Sequence, residues 1–259
     1  MNGKSFEHVV RMENIRMAYG KVTALHDVTL EIGRNEIVGL IGDNGAGKST
    51  LIKIMTGVQK PSGGRLFIRD QEIDFARYSV REAHQWKIET VHQEKSLGDK
   101  QPLWRNFFAG RQITNRWGFI DIKKEKQITN DVLLRQIGFR GVGITAESPV
   151  SKLSGGERQG VAIGRAMYFD ADLIVLDEPT VALALKEVHK VLDFIRSIKQ
   201  SGRACLYIEH NLAHVHELSD RLIVLDRGRV VSNIPQGSMT LQELQTHLLD
   251  LQRQKEVAA

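Results

Sequence analysis

Three observations in the sequence predict an α/β fold built around a phosphate-binding loop. Residues 42–50, Gly42-Asp43-Asn44-Gly45-Ala46-Gly47-Lys48-Ser49-Thr50, follow the apolar run Ile37-Val38-Gly39-Leu40-Ile41 and lead into Leu51-Ile52-Lys53-Ile54-Met55, so a glycine-rich turn joins a strand to a helix. Short apolar runs bounded by turn residues recur at 65–68, 88–91, 173–176, 204–208 and 222–225. Between Lys95 and Lys152 the strand-like runs stop and helical periodicity takes over. The expected organisation is a single α/β domain. Its core, with an antiparallel β-subdomain, covers residues 1–95 and 160–259, and an inserted helical subdomain covers 96–159.

The whole-chain figures fit this expectation. A chain of 259 residues, 41% hydrophobic and 26% charged, can bury a substantial core and has the composition of a soluble globular protein. No stretch reaches the roughly 18 apolar residues of a membrane span. The first residues, Met1-Asn2-Gly3-Lys4-Ser5-Phe6-Glu7, lack the apolar segment of a secretory signal, so a cytosolic location is expected. The lone cysteine, Cys205, cannot form an internal disulfide. The net charge of +5 is spread along the chain and reads as solvated surface rather than a nucleic-acid patch.

Alternating apolar residues up to Ile32, as in Val28-Thr29-Leu30-Glu31-Ile32, predict antiparallel strands before the turn Gly33-Arg34-Asn35. Tyr19, beside Gly20, reads either as an aromatic that stacks on a base or as a strand tyrosine packed on its own sheet. In the glycine loop, Gly42, Gly45 and Gly47 let successive N–H groups face one anion, and the following helix adds its positive end. Lys48 is placed to reach outer phosphates and the Ser49 hydroxyl to ligate Mg²⁺. The strand at 88–91 ends in His92-Gln93-Glu94, where the Gln93 carbonyl oxygen is placed to reach a metal ion or a water.

In the helical stretch, Ile128, Val132, Leu133 and Ile137 share a face behind a cap at Asp121. Trp104, Phe107 and Phe108, spaced i, i+3, i+4, form a second stripe that reads as core or as an exposed partner site. The turn Ser154-Gly155-Gly156 opens another helix and is a second anion-binding device. The buried run Leu173-Ile174-Val175-Leu176 ends in Asp177, placed to hold the Mg²⁺ shell, and Glu178, placed to polarise a water. The next helix carries Val188, Val191, Leu192, Ile195 and Ile198 on one face and stops near Gly202. Ala204-Cys205-Leu206-Tyr207-Ile208 ends at Glu209-His210, which puts His210 at the same sheet edge as Gln93 and Asp177. His214 and His216 lie two apart on a helix and face different ways, which is no metal-ligand spacing. A hairpin turns at Asp226-Arg227-Gly228-Arg229, and Thr240 to Glu243 has capping-box spacing ahead of Leu241, Leu244, Leu248 and Leu251.

Taken in order, these motifs resemble the ATP-binding subunit of an ABC transporter over nearly the whole chain. Tyr19 matches the adenine-stacking aromatic, Gly42 to Ser49 the Walker A loop, Gln93 the Q-loop, and residues 153–159 the signature motif within the helical subdomain. Leu173 to Glu178 match the Walker B strand with its catalytic glutamate, and His210 the switch histidine. The resemblance implies a P-loop NTPase (RecA-like) core and ATP and Mg²⁺ as cofactors. It also implies a head-to-tail dimer with a second ATPase subunit, expected to be a second copy, in which Walker A of one chain and Ser154 of the other enclose each ATP. It further implies membrane permease subunits as partners, a periplasmic binding protein acting indirectly, no nucleic acid, and a place on the inner face of the membrane. Where most of the family has a D-loop ending Ala-Leu-Asp, this chain has Ala182-Leu183-Ala184, which resembles the bacterial monosaccharide-import branch. Many subunits of that branch carry two ATPase halves, whereas this chain has one. Glu209 stands where serine is usual. Two other readings stay open on the sequence: an ABC-type ATPase acting on ribosomes or DNA, and a subunit that binds nucleotide without hydrolysing it.

Overall fold

A computed structural model describes residues 7–91, 97–135, 137 and 143–257. The chain opens with strands β1 (His8–Tyr19), β2 (Val22–Gly33) and β3 (Ile37–Ile41), then helix α1 (Lys48–Met55). Strands β4 (Gly63–Ile68) and β5 (Gln71–Glu72), helix α2 (Val80–Gln85) and strand β6 (Ile88–Val91) follow. Helices α3 (Leu103–Phe107), α4 (Ile122–Arg135) and α5 (Gly155–Tyr168) come next. The remaining elements are β7 (Leu173–Asp177), α6 (Leu185–Gln200), β8 (Ala204–Ile208), α7 (Leu212–Leu218), β9 (Arg221–Asp226), β10 (Arg229–Pro235) and α8 (Leu241–Val257).

Two sheets organise these elements. The first, in the order β2-β1-β4-β5, is antiparallel throughout. The second, in the order β10-β9-β3-β8-β7-β6, is parallel except for its edge strand β10. Its central strands read as unbroken apolar runs because both faces are covered. Side-chain alternation divides each strand between two cores. Val38, Leu40, Leu173, Val175, Leu206 and Ile208 pack toward α1 and the antiparallel sheet. Ile37, Ile41, Ile174, Leu176, Cys205 and Tyr207 pack toward α5, α6, α7 and α8. Burial of each such Leu, Ile or Val contributes roughly 1.5–3 kcal/mol.

Local signals explain where the helices begin. Asp121 accepts from the Lys124 N–H at 3.0 Å ahead of α4. Ser154 and Glu157 form a reciprocal capping box on α5, and Thr240 and Glu243 do the same on α8. Leu244 is fully buried and Leu248 and Leu251 pack on the same core, so α8 covers its own sheet.

A third apolar cluster gathers Leu103, Phe107, Phe108, Val132, Leu133 and Val161. It decides the stripe that sequence left open. Phe107 and Phe108 are 0% and 1% exposed, packed edge-on against Tyr168, and Trp104 is only 7% exposed. These three rings are core, and the expectation that they present a partner surface is corrected. An i, i+3, i+4 stripe shows that side chains share a face but not what covers that face.

Where β3 meets α7, a Cβ on Gly39 would lie 2.3 Å from Val215 Cγ1 and 2.5 Å from Ser219 Oγ. Replacement of Gly39 by Val should therefore destabilise the fold by about 1–3 kcal/mol. Chemical denaturation of purified Gly39→Val against wild type reads this directly, as a lower midpoint at unchanged slope.

Candidate active site

Strands β3, β8 and β7 are adjacent and parallel, so their C-terminal ends deliver residues to one edge. From β3 comes the glycine loop, from β7 come Asp177 and Glu178, and from β8 come Glu209 and His210. In open parallel sheets this edge is where ligands bind. β6, next to β7, ends at Val91, and Gln93 lies outside the described residues.

The loop between β3 and α1 is shaped by close approach as well as by backbone freedom. A Cβ on Gly42 would lie 2.2 Å from the Leu225 carbonyl oxygen, and Gly47 has φ +108°, with Ala24 and Leu25 of β2 pressed against it. The turn between β9 and β10 braces it further. Gly228 N–H donates to the Ala46 carbonyl at 2.8 Å, and its own carbonyl accepts from His26 N–H at 2.7 Å. Asp43, Asn44, Gly45 and Ser49 are exposed, Thr50 is half-buried and Ala46 is buried. Helix α1 has no side-chain cap and no acidic residue in its first turn, so its first N–H groups and positive dipole end face the loop's mouth. Lys48 is buried, and its ammonium donates to the carbonyls of Gly42, at 2.5 Å, and Asp43, at 3.1 Å. Burial pushes its pKa down, while the carboxylates of Glu178, Asp43 and Asp177 oppose that shift. The two motifs, about 130 residues apart in sequence, thus share one electrostatic environment.

Glu178 occupies the left-handed region, with φ +51°, a conformation that costs of the order of 1–3 kcal/mol in a residue with a side chain. Its N–H donates to the Ile208 carbonyl at 2.9 Å, and its carboxylate Oε1 lies 2.7 Å from His210 Nε2. Glu178 and His210 are therefore in direct contact. Asn211 caps α7 behind them, accepting from the N–H groups of Ala213 and His214. Ser49 and Asp177 supply oxygen donors of the kind Mg²⁺ takes, and that ion needs few protein ligands when phosphates and waters complete its shell. Among the described residues no group of three or more His, Cys, Asp or Glu forms a self-sufficient metal site.

Tyr19 closes β1 at the tip of the β1–β2 hairpin, 46% exposed, with its hydroxyl donating to Gln59 at 2.6 Å. It is not packed into its sheet, and its hairpin partner β2 is the strand that touches Gly47.

Ser154, Gly155 and Gly156 stand apart from the loop, anchored to residues 183–187. A Cβ on Gly155 would lie 2.3 Å from Leu183 Cδ2, and one on Gly156 would lie 2.9 Å from Glu187 Cβ. The Glu187 carboxylate accepts from Ala184 N–H at 3.2 Å. Hydrogen bonds from the Ser154 hydroxyl and from the Ala184 and Gly156 backbone hold its pKa below the usual carboxylate range. Sequence reading missed this role, although Glu187 three residues after Ala184 has capping spacing.

A strand–loop–helix phosphate cradle, paired with carboxylates and a histidine at neighbouring strand ends, defines a nucleotide-binding P-loop protein. A family model described as "ABC transporter" matches residues 25–181. The chain belongs to that family. It is 38% identical over 237 residues to the xylose/arabinose import ATP-binding protein XylG of Sulfolobus acidocaldarius, covering 91% of this chain and 92% of that one. It is 34% identical to the ribose import ATP-binding protein RbsA of Bacillus licheniformis, covering 86% of this chain and 44% of that protein. The chain thus spans about half the length of its ribose-import relatives and nearly all of the xylose/arabinose one. Among solved structures, a nucleotide-free ATP-binding cassette from an ABC transporter has a TM-score of 0.79 at 24% identity, over 93% of this chain and 95% of that one. The ADP form of the cassette MJ1267 has a TM-score of 0.77 at 24% identity, over 94% and 95%. At that identity these two structures speak to the fold.

A carboxylate whose pKa is lowered by folding stabilises the native state above its unfolded pKa, and that contribution fades as pH falls through the folded value. Glu187→Gln should therefore lower Tm by on the order of 2 °C near pH 7. The difference from wild type should vanish below the ordinary carboxylate range, as followed by thermal melts across pH.

Proposed function

We propose that this chain is the ATP-hydrolysing subunit that energises an importer of simple sugars. The observation that carries the reading is the contact of Glu178 with His210, 2.7 Å apart at adjacent strand ends and in the electrostatic field of Lys48. In this reading Lys48 and the N–H groups of residues 42–50 bind the phosphates, and Tyr19 stacks on the adenine. Ser49, Asp177 and Gln93 hold Mg²⁺, which when bound offsets phosphate charge. Glu178 orients and deprotonates the attacking water, and His210 holds Glu178 and senses the terminal phosphate. Ser154, Gly155 and Gly156 serve the nucleotide of a second ATPase subunit, which gives the second anion-binding turn its purpose.

The sugar assignment rests on the import proteins to which the chain is similar and on Ala184 in place of the usual aspartate. We take the core with its β-subdomain as 1–95 and 160–259 and the helical part as 96–159; the cluster around Phe107 and Phe108 gathers apolar side chains of the helical part, and α5 crosses the boundary to add Val161 to it. Permease subunits would meet the helical part on the inner face of the membrane, with a periplasmic binding protein acting through them. No helix among the described residues is long and apolar enough to cross a membrane itself.

Glu178→Gln should retain MgATP binding while turnover falls at least about a hundredfold. Turnover near wild type would remove Glu178 from the role of base. Lys48→Ala should weaken MgATP binding about ten- to a hundredfold, and equilibrium binding with a fluorescent ATP analogue measures it. Membrane extraction under mild detergent should bring a hydrophobic permease with the chain. ATPase activity that responds instead to RNA or DNA would favour a role on ribosomes or DNA.

A further inference from the structure

Glu209 is a residue at this edge whose chemistry the proposed reaction does not use. It is 3% exposed, a depth at which a carboxylate persists only with full hydrogen bonding. Its partners come from both sides of the site. Oε1 accepts from the His210 N–H at 2.9 Å and faces the Asn211 N–H at 3.5 Å. Oε2 accepts from the Thr180 hydroxyl at 2.5 Å, with the Tyr207 hydroxyl at 3.5 Å. One carboxylate therefore receives the turn that presents His210 on one oxygen and the turn that leaves Glu178 on the other.

The linkage through Thr180 is short and stiff. Only Pro179 separates Thr180 from Glu178, and its ring fixes one backbone torsion. Thr180 is itself buried, at 8% exposure. Pinning its hydroxyl constrains the backbone of Glu178, the residue held at φ +51°. A serine at position 209 would offer a single oxygen on a short stem, whereas glutamate offers two oxygens with reach to both turns.

We propose that Glu209 is a positioning residue that ties the turn after Glu178 to the turn that carries His210 and so holds those two side chains in contact. This inference rests on the reading that Glu178 and His210 serve ATP hydrolysis. In this role Glu209 acts through Glu178 and His210.

Steady-state ATPase kinetics on the full chain test it with four variants. Thr180→Val removes only the hydroxyl and should lower kcat by about tenfold or more, the scale of one hydrogen bond to a charged group, with KM for ATP within twofold of wild type. Thr180→Ser keeps a hydroxyl and should restore most of the rate. Glu209→Gln should resemble Thr180→Val, and the double variant should be no slower than the slower single one, because both remove the same link. Turnover of Thr180→Val within twofold of wild type would overturn the proposal, as would multiplicative losses in the double variant or a KM that rises in step with the loss of kcat. If Glu209→Gln does not fold, the Val and Ser variants at position 180 still decide. Failure of the underlying reading is separately visible, since it would leave Glu178→Gln active. An inactive Glu178→Gln beside a fully active Thr180→Val sinks the positioning role alone.

Discussion

Everything chemical in this protein depends on three parallel strands, β3, β8 and β7, lying side by side with both faces buried. A shift of one residue in any of them would exchange the set facing α1, such as Val38 and Leu40, with the set facing α5 to α8, such as Ile37 and Ile41. Core packing therefore fixes the register, and the register fixes which residues emerge at the edge. The placement of the glycine loop, Glu178 and His210 within reach of one another follows from apolar burial far larger than any interaction among the site residues themselves.

The signature turn adds a second layer of organisation. The N-termini of α5 and α6 meet where Gly156 lies on Glu187, and Glu187 bonds to the start of both helices. Helix α5 then crosses between two cores: Val161 packs with the rings of Phe107 and Phe108, while Ile163 and Ala166 pack on the central sheet. One flank of α5 thus lies in each cluster, so the Ser154 turn is anchored both to the rings around Phe107 and to the central sheet.

Much of this was legible in the sequence because its signals are local. The glycine loop, the acidic end of β7, the turn of the β9–β10 hairpin, the helix start at Ser154 and the capping box at Thr240 each fit within about ten residues, and spacing alone specifies them. The short helix α2 escapes periodicity, since six residues make fewer than two turns, and Ser79 accepting from the Glu82 N–H marks its start. Long-range facts were not readable. The cover on Phe107 and Phe108 is Tyr168 and Phe169, some sixty residues later. The partner of Glu209 is Thr180, 29 positions earlier on another strand's exit. Glu209 looked like an unexplained departure because a lone carboxylate has no periodicity to announce what it holds.

The brace behind the glycine loop has a thermodynamic consequence. Gly228 bonds to Ala46 on one side and to His26 on the other, and Leu225, Ala24 and Leu25 fill the space behind Gly42 and Gly47. The loop is thus a finished mould, set during folding by the sheet and hairpin around it. A loop already held in one shape by its surroundings has little conformational entropy left to lose when a ligand enters it.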